Sequence, residues 1–180
     1  MNTSSKPIDS SIPIDHVVDG VYISGWRATK HEIELLGAGL THVLKLYESV
    51  PYFSPHFTTL ENVCVDGEPL PAGVLDRSVD FIRTRVAANQ LVLVMCGAGI
   101  SRSATMVLAY MVDHGYDLHE AYKILKKAHP DANPHPALWQ SLITRYQLTY
   151  SIEDAVDWDI EFNEAYNPLP RPDRSDKRQP

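Results

Sequence analysis

Leu91-Val92-Leu93-Val94-Met95-Cys96-Gly97-Ala98-Gly99-Ile100-Ser101-Arg102-Ser103-Ala104-Thr105 is the stretch on which the reading of this chain turns. Its first five residues form an unbroken apolar run, the pattern of a central strand covered on both faces. Residues 97–101 are mostly small and read as a tight loop. Ser103 to Val112 reads as a helix. Strand, glycine loop and helix N-terminus in that order make a cradle of backbone N–H groups aimed at one point, where the helix dipole also favours an anion. Cys96 lies at the mouth of the cradle, a place that stabilises a thiolate. Arg102 closes it, and a guanidinium grips two oxygens of a phosphate at once. Ser101 and Ser103 add hydroxyls at the rim. A lone cysteine is ordinarily a small buried hydrophobe; these neighbours favour chemistry instead.

The segments on either side alternate between strand and helix patterns. Asp19-Gly20 between two apolar runs marks a hairpin turn. Thr29-Lys30-His31-Glu32 has the form of a capping box, which predicts a helix starting near Thr29. Thr41–Leu46 and Leu60–Val65 read as strands, with an aromatic, proline-containing loop between them. Leu75, Val79, Ile82 and Val86 recur at helical spacing. The helix after Arg102 is expected to stop near Gly115, Asp117 to cap the next one, and a last helix to run from about Ala137 to Tyr150. These elements predict a single α/β domain: a central sheet of about five mostly parallel strands flanked by helices. It spans residues 14–150, between a flexible arm (1–13) and an extension (151–180) that is first acidic and then rich in Pro and Arg. The extension is expected to dock on the domain or bind a partner, its acids forming a solvated face and its end disordered.

Bulk properties exclude several classes. The chain has 180 residues, a net charge of −7, 44% hydrophobic and 22% charged residues, as in ordinary soluble domains. That charge opposes a broad nucleic-acid surface. No apolar run approaches the roughly 20 residues of a membrane span, and the N-terminus has no apolar core of a signal peptide. Two cysteines, Cys64 and Cys96, make no disulfide scaffold, so a cytoplasmic location is expected. None of the eight histidines forms a metal-ligand pattern, and neither metal nor cofactor is expected.

Cys96-Gly97-Ala98-Gly99-Ile100-Ser101-Arg102-Ser103-Ala104-Thr105 resembles the signature loop of the dual-specificity phosphatases, within the cysteine-based C-x5-R superfamily. The resemblance extends to Val21-Tyr22-Ile23-Ser24-Gly25, Gly39-Leu40-Thr41-His42-Val43-Leu44, Leu108-Ala109-Tyr110-Met111 and Glu120-Ala121-Tyr122, covering about 14–148. It implies the cysteine-phosphatase fold. It implies that Cys96 attacks phosphorus to form a thiophosphoryl-enzyme and that the amides of Gly97, Ala98, Gly99, Ile100, Ser101 and Arg102, with the Arg102 guanidinium, hold the equatorial oxygens. Ser103 corresponds to the hydroxyl that helps the sulfur leave. The family's general acid lies about thirty residues before the cysteine, where Asp66 stands; the competing reading is a turn-forming aspartate before Gly67. Glu68 is the second candidate. Asp76 and Asp80 fall on the following helix as surface charges.

The chain departs from the family pattern at two places. A histidine normally precedes the cysteine; Met95 stands here and forms no comparable hydrogen bond. The usual Pro-Asn is Pro134-His135, so His135 either supports the signature loop through its imidazole or is an ordinary loop histidine. Cys64 is read as a buried hydrophobe, with a bridge to Cys96, as in some relatives, as the alternative. The loop carries no lysine between Cys96 and Arg102, which favours phosphotyrosine and phosphoserine/threonine on proteins or peptides over highly charged inositol phosphates. Tyr47, Tyr52, Phe53 and Trp26 are expected to line the cleft. The competing readings are a phosphoinositide or phosphoglycan phosphatase of the same mechanism and a weakly active phospho-binding module.

Overall fold

The computed structural model describes residue 8 and residues 11–166. Five strands, β1 (Asp15–Val18), β2 (Val21–Ser24), β3 (Leu40–Lys45), β4 (Thr58–Glu61) and β5 (Leu91–Met95), form one sheet in the order β1-β2-β5-β3-β4. β1 and β2 are the antiparallel hairpin signalled by Asp19-Gly20, with Asp19 in the left-handed region at φ +49°. All other pairings are parallel. The helices are α1 (Glu32–Gly37), α2 (Val74–Ala87), α3 (Arg102–Asp113), α4 (Leu118–Ala128), α5 (Pro136–Tyr146) and α6 (Ile152–Tyr166).

The continuous apolar character of β5 follows from its place at the centre of the sheet. Successive side chains point to opposite faces. Val92, Val94 and Cys96 enter a large core with residues from α2 to α6, and Leu93 and Met95 enter a smaller one with Leu35, Leu40, Val43 and Phe57. A run buried on both faces leaves no polar position to mark its period.

α4 begins as its sequence predicts: the Asp117 carboxylate accepts from the amides of His119 and Glu120. Gly115, at φ +88°, follows the end of α3. The capping-box reading of Thr29 fails. Residues Trp26–His31 form a 3-10 turn, α1 starts only at Glu32, and the Thr29 hydroxyl donates back to the Trp26 carbonyl (2.8 Å). β4 is shorter than expected and shifted toward the N-terminus, although the Asn62 and Cys64 amides still reach the Lys45 and Leu46 carbonyls (2.9 and 3.3 Å). There the Asn62 side chain turns inward to the Val74 carbonyl and the Ser78 hydroxyl (each 2.8 Å). α5 ends at Tyr146, before the expected Tyr150.

The expected arm (1–13) lies mostly outside the described residues. Within it, Ile12 is buried and Ile8 packs beside it in the smaller core. The acidic part of the C-terminal extension is α6, and it docks. Trp158 meets Tyr150 edge-on (4.8 Å between centroids), and Phe162 packs on Tyr122 (5.6 Å). Asp159 takes the buried Lys126 ammonium (3.0 Å) and the Tyr122 hydroxyl (2.6 Å). Residues 167–180 lie outside the described residues. Among the described residues no helix is long and apolar enough to cross a membrane.

Phe162→Ala tests whether α6 belongs to the folded unit. A buried aromatic lost from a core is expected to lower stability by about 3 kcal/mol, read as a lower urea midpoint at constant slope. An unchanged midpoint would show that α6 contributes nothing to it.

Candidate active site

β5 delivers Cys96 to the C-terminal edge of the sheet, and α3 begins six residues later at Arg102. The chain between them bends back over the sulfur. The Gly99 amide donates to Cys96 Sγ (3.2 Å), and the Ser103 hydroxyl lies 3.2 Å from the same atom. Gly99 is required there twice over. Its φ is +84°, and a Cβ would stand 2.6 Å from the Gly25 amide nitrogen. Gly25 is equally constrained, since a Cβ on it would fall 2.7 Å from the Ala98 carbonyl oxygen. The Trp26 amide donates to the Gly97 carbonyl (2.9 Å), closing the contact.

Arg102 is held by one side only. Its Nη1 donates to the Leu46 and Cys64 carbonyls (3.2 and 3.1 Å), just beyond β3 and β4. Its Nε is buried without a hydrogen-bond partner, 4.0 Å from Asp66 Oδ2. An anchored guanidinium whose Nε makes no hydrogen bond is set to take an oxyanion through two parallel bonds.

Asp66 lies on the loop after β4 and is brought to the signature loop by Ser101, whose hydroxyl donates to Oδ1 (2.7 Å). The same hydroxyl accepts the His135 amide (3.0 Å). His135 therefore touches the signature loop through its backbone. Its imidazole Nδ1 instead caps α5 by accepting the Ala137 amide (3.2 Å). The ring also leaves 3.6 Å to the position a Cβ on Gly67 would take. Leu70 ties the far end of the Asp66 loop to α5, its amide donating to the Ser141 hydroxyl (3.0 Å). Glu68 is exposed. Asp76 pairs with Arg145 (2.7 Å) and Asp80 with Arg83, as surface charges do.

Cys64 is a buried free thiol. Burial pushes it up to about 11, against the opposing pull of Arg102 and with smaller upward contributions from Cys96 and Asp66. Of the four aromatics expected at the rim, Trp26 and Tyr52 are exposed, whereas Tyr47 is buried. The Tyr47 hydroxyl donates to the Pro51 carbonyl (2.8 Å), and Phe53 packs on Phe57 (4.4 Å). Tyr52 is held over the fully buried Lys45, whose ammonium is 3.8 Å from its ring centroid and donates to the Ser49 carbonyl (2.7 Å).

Sequence reasoning missed His129. Its ring spans Asp15 Oδ2 (2.6 Å from Nδ1) and the Gly99 carbonyl (3.0 Å from Nε2). A single histidine before a proline carries no local signature, and Asp15 lies 114 residues away.

Residues 21–147 match the family described as dual specificity phosphatase, catalytic domain. Human dual specificity protein phosphatase 16 is 48% identical over 62 residues, which cover 34% of this chain and 9% of that protein. Human dual specificity protein phosphatase 14 is 28% identical over 133 residues, 72% of this chain and 67% of that protein. In the crystal structure of human DUSP28, the similarity covers 81% of this chain and 95% of the other at 28% identity, with a TM-score of 0.66.

Two outcomes check this geometry. Gly25→Ala is expected to destabilise the protein by about 2 kcal/mol, because backbone atoms on both sides must move; a melting temperature equal to the parent's would contradict it. In a Cys96→Ser background, iodoacetamide at pH 8 is expected to leave Cys64 unmodified. The raised Cys64 value keeps it a thiol at that pH, and the thiol is not the nucleophile. Labelling at the rate of a free cysteine, seen by intact mass, would contradict the burial described.

Proposed function

The chain belongs to the dual specificity phosphatase family, and from that premise we propose that it hydrolyses phosphotyrosine and phosphoserine/threonine in proteins or peptides through a thiophosphoryl-cysteine intermediate. The observation that carries the reading is Arg102, fixed by two backbone carbonyls with its Nε making no hydrogen bond beside the loop that holds Cys96. In the first step Cys96 Sγ bonds to phosphorus as the ester P–O bond breaks. The leaving oxygen takes a proton from the Asp66 carboxyl. In the second step water attacks phosphorus, gives its proton to the Asp66 carboxylate, and the S–P bond breaks. Ser103, 3.2 Å from Sγ, supports the departing thiolate by hydrogen bonding. The loop amides and Arg102 meet the charge of both transition states.

Asp66 suits the acid role because Ser101 fixes only Oδ1. Oδ2 is then the oxygen left to exchange a proton with the leaving group. The substrate class follows from the loop, where Arg102 is the only charged residue between Cys96 and Thr105. It offers one guanidinium to one phosphoryl group and no further cations to a polyphosphorylated ring. The net charge of −7 opposes nucleic acid as a partner. The free thiols fit the reducing cytosol.

Hydrolysis of an aryl phosphate, abolished in Cys96→Ser, tests the reaction. Asp66→Ala is expected to slow a phosphoserine peptide by about a hundredfold and an aryl phosphate with an acidic phenol much less, since only the former needs its leaving oxygen protonated. Equal losses for both would remove Asp66 as the acid. Turnover of phosphoinositides above that of phosphopeptides at equal concentration would overturn the substrate class, and absence of turnover by folded protein over pH 5–8 would leave a phospho-binding module.

A further inference from the structure

One short segment after α4 backs three successive residues of the signature loop. The His129 ring meets the Gly99 carbonyl (3.0 Å), the Asn133 amide donates to the Ile100 carbonyl (2.9 Å), and the His135 amide donates to the Ser101 hydroxyl (3.0 Å). The first is the only one of these three whose donor is a side chain. In a planar trans peptide the C=O of one residue and the N–H of the next point in opposite directions. A carbonyl drawn outward at Gly99 therefore turns the Ile100 N–H inward, toward the cradle.

The ring's two partners fix what it must be. Asp15 Oδ2 and the Gly99 carbonyl are both acceptors, at 2.6 and 3.0 Å. A neutral imidazole has one N–H, so one of these contacts would set a lone pair against an oxygen. Both are hydrogen bonds only when each ring nitrogen carries a proton. His129 is the C-cap of α4, where the helix dipole favours positive charge. Its side chain is only 12% exposed. The flanking hollow of about 450 Å3 adds Asp131 and Arg27, of opposite sign, with Gly97 and Ala98 of the signature loop on its wall. Lys126, the nearby cation of α4, is occupied by Asp159 and by the Pro130 and Ala132 carbonyls.

We propose that His129, protonated on both ring nitrogens and paired with Asp15, is a positioning residue for the phosphate cradle: it holds the Gly99 carbonyl outward and so presents the Ile100 N–H to the bound oxyanion. The Gly99 amide on the other side of the same residue already points at Cys96 Sγ (3.2 Å). Fixing Gly99 at φ +84° thus aligns two consecutive N–H groups, one on the nucleophile and one on the phosphoryl oxygens. Met95, the residue before the nucleophile, has no N–H in its side chain to give the loop, and His129 supplies one from outside it.

The inference rests on the phosphate-site reading of the loop, so its test uses an oxyanion whose binding does not depend on turnover. Tungstate affinity is measured by calorimetry, with kcat and KM for an aryl phosphate alongside. His129→Gln keeps a donor near the Nε2 position; His129→Leu fills the space without one. Leu is expected to weaken tungstate binding and lower kcat by about tenfold or more, while Gln stays within about threefold of the parent in both. Asp15→Asn, which keeps an acceptor but no charge, is expected to fall between them. Parent-like tungstate affinity in the Leu variant would overturn the proposal. So would Gln and Leu variants that are equally impaired while melting at the parent's temperature, since the donor would then not be what matters. A parent protein that binds tungstate in this pattern yet hydrolyses nothing would reject the phosphatase reading and leave the positioning role standing.

Discussion

An anion cradle made of backbone must turn its N–H groups inward, and its carbonyls are then forced outward, where each needs a donor. That constraint organises the rest of this molecule. The Gly97 carbonyl takes the Trp26 amide, the Gly99 carbonyl takes the His129 ring, and the Ile100 carbonyl takes the Asn133 amide. The Ser101 carbonyl takes the Thr105 amide and hydroxyl inside the first turn of α3. A 3-10 turn on one flank and the segment after α4 on the other supply the donors for Gly97, Gly99 and Ile100. Arg102 is fixed in a related way, its Nη1 donating to the Leu46 and Cys64 carbonyls just past the ends of β3 and β4.

How much of this is legible in the sequence depends on the range of the interaction. β5, the loop and α3 are contiguous, and their signals are local: an apolar run, small residues, then a helix-forming run. The Asp117 cap of α4 is equally local and reads directly. Thr29 shows the limit of such signals. Its hydroxyl has two competing backbone partners, and the 3-10 turn that lets Trp26 reach Gly97 gives it the Trp26 carbonyl instead of a helix amide. The end of β4 is obscured by Asn62, a polar residue buried to fasten α2. His135 draws notice in the sequence for its imidazole, but it is the amide, common to every residue except proline, that reaches Ser101. His129 has no local signal at all, because its role is created by β1 and the signature loop arriving from 114 and 30 residues away.

The acids of α6 read in the sequence as a solvated face, and for Glu153, Asp154 and Glu161 exposure agrees. Asp159 does not fit that reading. It faces Lys126, a lysine 2% exposed on α4. A charge so buried costs several kcal/mol unless paired, so helix α4 with Lys126 is compatible with the fold only if something supplies the counter-charge. Asp159 supplies it, and the Tyr122 hydroxyl completes the arrangement at 2.6 Å. The aromatic contacts of Trp158 and Phe162 set the helix in register for it.

Lys126 also donates to the carbonyls of Pro130 and Ala132 (2.7 and 3.1 Å). These belong to the segment whose neighbours His129, Asn133 and His135 back the signature loop. Hydrogen bonds of Lys126 and the short backbone stretch 129–135 therefore link α6 to the rear of the cradle. The family match covers residues 21–147. Cys96, Asp66, Arg102 and the backing segment fall inside it, but the two carboxylates that meet His129 and Lys126, Asp15 and Asp159, both fall outside. The residues assigned to the chemistry lie in the common catalytic domain, while the charges that hold its rear in place come from β1 and α6 of this chain. How firmly the loop is held, and hence how well its amides are aimed before substrate arrives, therefore depends on those two ends as well as on the signature itself.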